Sequence, residues 1–287
     1  MRTRKLSAVL LALAWASIVA FAQDSKLSDV SKLPGALFDP IAYADGALQE
    51  IRLKIMPLGD SITFGSPDSS ASGYRRLLGT LLTKNGYSID FVGSRQSGNG
   101  IIPDPDNEGH PGWTISQIKE GIDSNGWLET YQPDMILLHI GTNDLRQGNA
   151  PSAPGNLAAL LDDILARLPH TRLIVAQIIP FRRGSDPTQR SYNDAIARIV
   201  ASKGPRVSMV DMQNILSSSD YADEVHPNAS GYDKMARVWE AAIRAVVSSS
   251  TRRANAQPPD RTSAGERRGI PMDGEFRTVH DRGLYRG

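Results

Sequence analysis

Apolar and polar positions alternate along this chain in two rhythms. Five stretches carry the short, β-branched-rich pattern of strands: IRLKIMPL (51–58), YSIDFVG (87–93), DMILLHIG (134–141), RLIVAQII (172–179) and RVSMVDM (206–212). DMILLHIG and RLIVAQII are nearly continuous apolar runs, as strands buried on both faces require. Between the strands the spacing is helical. SGYRRLLGTLLTKNG sets Tyr74, Leu77, Leu78, Leu81 and Leu82 on one face and stops at Asn85-Gly86. WTISQIKEGI begins at a Thr114 cap, GNLAALLDDILARLP ends before Pro169, TQRSYNDAIARIVASKG ends at Gly204, and NASGYDKMARVWEAAIRAVV closes the pattern. Strands alternating with helices predict a parallel sheet with helices on both faces. One α/β domain over residues 50–248 accounts for every element.

The flanks read differently. Arg2, Arg4 and Lys5 precede the apolar run LSAVLLALAWASIVAFA, and Ala20-Phe21-Ala22 has the small-x-small form of a cleavage site. Residues 1–22 therefore read as a secretory signal peptide, and the protein as secreted or periplasmic. The alternative is an uncleaved anchor, for which the run is slightly short. Residues 23–49 are weakly patterned and read as an N-terminal extension lying on the domain. Residues 249–287, rich in Arg, Gly, Pro and Ser, offer too little apolar surface to fold and are expected to be disordered.

Charge and composition narrow the chemistry. The 287 residues carry a net charge of +1, and signal cleavage would leave about −2, so nothing points to nucleic acid or to an anionic membrane. There is no cysteine, which excludes disulfides, thiolate catalysis and cysteine–zinc sites.

In a parallel sheet the site lies at the carboxyl ends of the strands. Those ends carry Gly59-Asp60-Ser61, Gly93-Ser94 and Gly141-Thr142-Asn143-Asp144, and Asp223 and His226 stand three apart before the last helix. A serine hydroxyl needs a base, which His226 can be, and a carboxylate behind the imidazole fixes its tautomer. Asp223 is placed for that role, with the adjacent Glu224 as its rival. The Ser61 N–H, the Gly93 N–H and the Asn143 amide can serve an oxyanion.

GDSITFG, the glycine of FVGS, GTND and DEVHP resemble, in order and spacing, the four blocks of the SGNH or GDSL-type hydrolases. The resemblance spans about residues 51–247. It implies a flavodoxin-like three-layer α/β/α sandwich with a five-stranded parallel sheet. It also implies Ser61 as nucleophile, Ser61, Gly93 and Asn143 as oxyanion hole, and a triad completed by His226 and Asp223. NEGHPGWTISQI (107–118) and LLHIGTNDL are similar to acetyl xylan esterases of carbohydrate esterase family three, which implies deacetylation of a polysaccharide. The expectation is then a serine esterase acting on small-molecule or polysaccharide esters through an acyl-enzyme, with no cofactor and no metal. A lysophospholipase or thioesterase, and a catalytically silent carbohydrate-binding protein, are the competing readings. The sequence lacks a clear apolar lid for the former, and retention of every catalytic group speaks against the latter.

Several residues have a plainer reading. His139 lies within the third strand and reads as a core histidine. His110 and Trp113 either contact substrate or brace the loop that bears them. His170 and His280 read as surface residues. DPDNE (104–108) carries oxygen ligands suited to calcium but reads as a solvated loop.

Overall fold

The computed structural model of the protein describes residues 41–44, 47–50, 52–67, 71–184 and 186–256. The expected signal peptide, most of the N-terminal extension, His280 and the tail beyond Ala256 lie outside these residues.

The elements run β1 (Ile41–Ala44), β2 (Ala47–Glu50), β3 (Leu53–Gly59), α1 (Ser61–Phe64), α2 (Arg75–Lys84), β4 (Ile89–Phe91), β5 (Arg95–Gln96), β6 (Asp106–Gly109), α3 (Ile115–Asn125) and α4 (Trp127–Tyr131). They continue with β7 (Met135–His139), α5 (Thr142–Arg146), α6 (Ala153–Arg167), β8 (Arg172–Ala176), α7 (Pro187–Ser202), β9 (Val207–Val210) and α8 (Ala229–Ala256). β1 and β2 form an antiparallel hairpin of their own.

All five expected strands are present, as β3, β4, β7, β8 and β9. β4, β7 and β6 pair in parallel with β3, β8 with β7, and β9 with β8. Taking the five core strands alone, the spatial order is second, first, third, fourth, fifth, the flavodoxin-like order. The fold is thus a three-layer α/β/α sandwich. Two short strands that the sequence pattern did not predict extend the sheet to seven. β4 covers the first half of β3 through Leu53–Ile55, and β6 covers the second half at Leu58 and Gly59. β5 then runs antiparallel beside β6.

The alternation of side chains sorts the core into two layers. Met56, Leu58, Ile136, Leu138, Leu173 and Val175 face α3, α6 and α7 and pack on Ile118, Leu157, Leu161 and Ile196. Ile55, Leu137, Ile174 and Ala176 face α2 and α8 and pack on Leu78, Leu82, Met235 and Trp239. Each fully buried aliphatic side chain contributes about 1.5–3 kcal/mol relative to exposure, which is how a chain without disulfides holds this architecture.

Helix ends follow the sequence signals. The Gln117 side chain accepts from the Thr114 N–H at 2.8 Å to open α3, and Asp186 accepts from the Gln189 N–H at 2.7 Å to open α7. The last helix departs from expectation. It runs to Ala256, about two turns beyond residue 248. Extending a formed helix fixes one residue per added hydrogen bond, so a polar sequence can continue a helix it could not start.

Candidate active site

β3 ends at Gly59, whose missing side chain leaves room for the His139 carbonyl on neighbouring β7. The chain then turns into α1. Asp60 caps it, its Oδ1 accepting from the Ile62 N–H at 2.9 Å. Ser61 is the first helical residue, so its N–H is one of the unpaired donors of a helix start. The Ser61 side chain meets a histidine from the far end of the domain: Ser61 Oγ lies 2.9 Å from His226 Nε2. His226 Nδ1 lies 2.8 Å from Asp223 Oδ2.

The loop holding Asp223 and His226 is tied at several points. Asp223 Oδ1 accepts from the Val225 and His226 N–H groups, each at 2.8 Å. The Ala222 N–H donates to the His226 carbonyl at 3.0 Å. Asp220 fastens the loop to α8, accepting from Ser217, Ser230 and Lys234. Burial works against ionisation of Asp223, but the hydrogen bonds from His226 and Val225 outweigh it and hold the carboxyl below the usual range. Glu224, the rival acid, points elsewhere: its carboxylate lies 3.3 Å from Arg183, and both side chains are exposed.

The candidate oxyanion donors come from three adjacent strand ends. Among the described residues, the N–H groups of Ser61 and Gly93 have no hydrogen-bond partner. Asn143 is buried in the first turn of α5, and its Nδ2 donates to the Trp113 carbonyl at 3.0 Å, which orients the amide and leaves its second hydrogen free. Gly93 has φ +156°, and a Cβ there would overlap the Asn107 carbonyl, so only glycine permits this approach of β6. The arrangement suits addition to an ester carbonyl: a nucleophile, a base held by a carboxylate, and donors where negative charge would develop.

His110 and Trp113, the two candidate substrate contacts, are not equivalent. His110 is only 7% exposed. Its Nε2 lies 2.6 Å from Glu108 Oε1, and its ring stacks on Trp113 at 4.1 Å and on Trp127 at 4.8 Å. It braces the loop from within and has little surface for a sugar. Trp113 is partly buried against the core and keeps some exposed surface. His139 is a core histidine. It is fully buried, its Nε2 accepts from the Ile179 N–H at 3.3 Å, and burial pushes its pKa down to about 4. In DPDNE the carboxylates serve the backbone and neighbouring side chains: Asp104 accepts from the Phe91 N–H at 2.7 Å and Asp106 from Gln96 at 2.9 Å. Among the described residues no group of three or more acids and histidines is arranged to hold a metal.

Three acids next to the site have no role in the sequence pattern, and one of them, Glu108, is buried in a strand where DPDNE reads as a solvated loop. Asp60 is fully buried. Burial raises its pKa to about 7, with the nearby Asp144 charge adding to the rise and the Ile62 N–H opposing it. Asp144 accepts from the Ile115 N–H at 3.0 Å, yet burial still raises its pKa. Glu108 is fully buried and accepts from the Ser94 N–H at 2.7 Å and the Ser94 hydroxyl at 2.6 Å. The available signal was position: Asp60 and Asp144 adjoin the candidate serine and asparagine, and Glu108 sits two residues before His110. Beside the triad an open cleft of about 470 Å³ is lined by Arg146, Phe181, Arg183, Asp186, Glu224 and Val225.

Comparison with known proteins agrees with this geometry. Residues 58–234 match the GDSL-like lipase/acylhydrolase family. A multidomain esterase of Ruminococcus flavefaciens is 32% identical over 260 residues, covering 81% of this chain and 33% of that protein. The chain thus spans about a third of that relative's length. Among solved structures, a family 3 carbohydrate esterase of Clostridium thermocellum is 38% identical with a TM-score of 0.63, covering 70% of this chain and 100% of that one. A carbohydrate esterase family 3 structure from Talaromyces cellulolyticus is 31% identical with a TM-score of 0.57, covering 69% of this chain and 99% of that one. With the serine, glycine, asparagine and histidine blocks in order on a matching sheet, the chain belongs to the GDSL-like lipase/acylhydrolase family.

Proposed function

We propose that the protein is a secreted serine esterase that removes acetyl groups from carbohydrate, in the manner of an acetyl xylan esterase. The observation that carries this reading is the unbroken hydrogen-bonded chain from Ser61 through His226 to Asp223. Ser61 Oγ attacks the acetyl carbonyl carbon as His226 Nε2 takes its proton. Asp223, held ionised by its hydrogen bonds, stabilises the imidazolium. The Ser61 and Gly93 N–H groups and the Asn143 amide stabilise the tetrahedral oxyanion, each contributing on the order of 10²–10³ in rate. Collapse breaks the ester bond, and His226 returns the proton to the departing sugar oxygen. Water, deprotonated by His226, then attacks the acetyl-serine and releases acetate.

The carbohydrate assignment rests on the names of the solved relatives. A long acyl chain would gain about 0.8 kcal/mol per buried methylene in a matching apolar groove, so the dependence of rate on acyl length tells the two substrate classes apart. The test is kcat/KM on aryl acetate, butyrate and octanoate beside acetate release from acetylated xylan. The expected maximum is at acetate, with release from xylan. A maximum at octanoate would favour a lipid substrate, and inactivity on every ester would favour a binding protein. Export is tested separately, by sequencing the N-terminus of the extracellular or periplasmic protein, which should begin at Gln23.

A further inference from the structure

One short segment, residues 108–115, touches all three strand ends that carry the candidate oxyanion donors. The His110 N–H donates to the Gly59 carbonyl at 2.9 Å, two residues before Ser61. The Trp113 carbonyl holds the Asn143 amide, and the Ile115 N–H holds Asp144. The most demanding of these contacts is that of Glu108. Its carboxylate is fully buried, and such a group is costly unless strongly paired. Its partners are the Ser94 N–H, the Ser94 hydroxyl and the His110 ring, all within 2.7 Å. Ser94 follows Gly93 directly. On the other side of Gly93, the Val92 N–H is fixed to the Ile55 carbonyl at 2.9 Å. Glu108 therefore holds the peptide that follows Gly93, and β3 holds the Phe91–Val92 peptide, so the unpaired Gly93 N–H lies between two fixed points.

We propose that Glu108, with Ser94 and His110 as its partners, is a positioning group that aims the Gly93 N–H at the transition-state oxyanion. This deepens the esterase reading above and rests on it. Glu108 touches neither the substrate nor the triad in this scheme. It stiffens a loop whose glycine cannot stiffen itself, and the stack of His110 on Trp113 and Trp127 keeps the carboxylate from turning away. A donor misplaced by a fraction of an ångström loses stabilisation of the tetrahedral state while leaving ground-state binding intact.

The experiment compares wild type, Ser61→Ala, Ser94→Ala and Glu108→Gln. It reads kcat and KM on an aryl acetate, affinity for a phenylboronic acid that adds to Ser61 as a tetrahedral adduct, and inhibition by acetate. Glu108→Gln is expected to lower kcat by about 10–100-fold with KM within about 3-fold, and to weaken boronate binding by a similar factor with acetate inhibition unchanged. Ser94→Ala, which keeps the backbone contact, should lower kcat by a smaller factor, about 3–10-fold. A folded Glu108→Gln that keeps wild-type kcat overturns the proposal, as does a loss expressed only in KM with boronate affinity intact. If Glu108→Gln does not fold, Ser94→Ala decides, and wild-type kcat there overturns it. A wild type that is inactive, or indifferent to Ser61→Ala, overturns the esterase reading and this inference together.

Discussion

Asp223 grips His226 at two places: Oδ2 meets the ring Nδ1 at 2.8 Å, and Oδ1 accepts the main-chain N–H of the same residue at 2.8 Å. One carboxylate thus sets both where the imidazole sits and which way it faces. Asp223→Asn should lower kcat by about 10³–10⁴, because the amide orients the ring wrongly and cannot stabilise its cation. Glu224→Gln, which alters only an exposed pair with Arg183, should stay within about 2-fold of wild type. Steady-state kinetics of the two variants side by side decide the matter. A larger loss at Glu224 would reverse the assignment.

Ser61→Ala should remove several orders of magnitude of ester turnover while leaving the melting temperature near that of the wild type. The hydroxyl has one side-chain partner, His226, and the helix cap on Asp60 does not involve it. Near-normal turnover in the purified variant would sink the mechanism.

Gly93→Ala places a methyl group against the Asn107 carbonyl, so either β6 or the Gly93 N–H must move. The expected result is a loss of at least about 10-fold in kcat on aryl acetate. Gly155→Ala is the control. Gly155 lies in α6 with open space around it, so the same substitution should stabilise the fold by about 0.5–1 kcal/mol and leave kcat alone. Equal effects at the two glycines would refute the steric argument.

Asp60 gives the stability curve a testable slope. Unfolded, its carboxyl ionises near the ordinary 3.8, and folded near 7. Between those values the folded state alone keeps the proton, so the contribution of Asp60 is complete below about 3.8 and is lost as the pH rises toward 7. Asp223 has the opposite sign: its folded pKa is depressed, so its contribution is present above 3.8 and is lost as the pH falls through the folded value. Asp60→Asn, which preserves a cap acceptor for the Ile62 N–H, should therefore gain stability relative to wild type between pH 4 and pH 7. Thermal melts of both proteins across that range provide the check, and parallel curves would disprove it.

The legible parts of this fold were those written in apolar periodicity. Met135–His139 and Arg172–Ala176 are apolar almost throughout because both faces of the sheet are covered, and the α2 stripe of Tyr74, Leu78 and Leu82 is fully buried as its spacing implied. β6 was not legible. Its sequence is Asp-Asn-Glu-Gly, poor in strand formers, and what holds it there is the burial of Asn107 and Glu108 in side-chain hydrogen bonds to Ser97 and Ser94. Those partners lie ten and fourteen residues away, beyond any local pattern. For the same reason the triad groups stood out as residue types in recurring blocks, whereas the inward turn of His110, away from solvent, depended on Glu108 and two tryptophans that only the tertiary structure assembles.

Ser61 and His226 are separated by 165 positions, and His226 stands three residues before the helix whose Trp239 packs against Tyr74. That distance makes activity a clock for folding. A chain still being synthesised can shape the first strands and set Ser61 on its helix, yet it has no base until His226 is available. Closing so large a loop carries a high entropic cost, and such non-local contacts tend to form late. During refolding the return of ester turnover should therefore trail the recovery of helical signal, and partly folded protein inside the cell would be unable to deacylate anything it met.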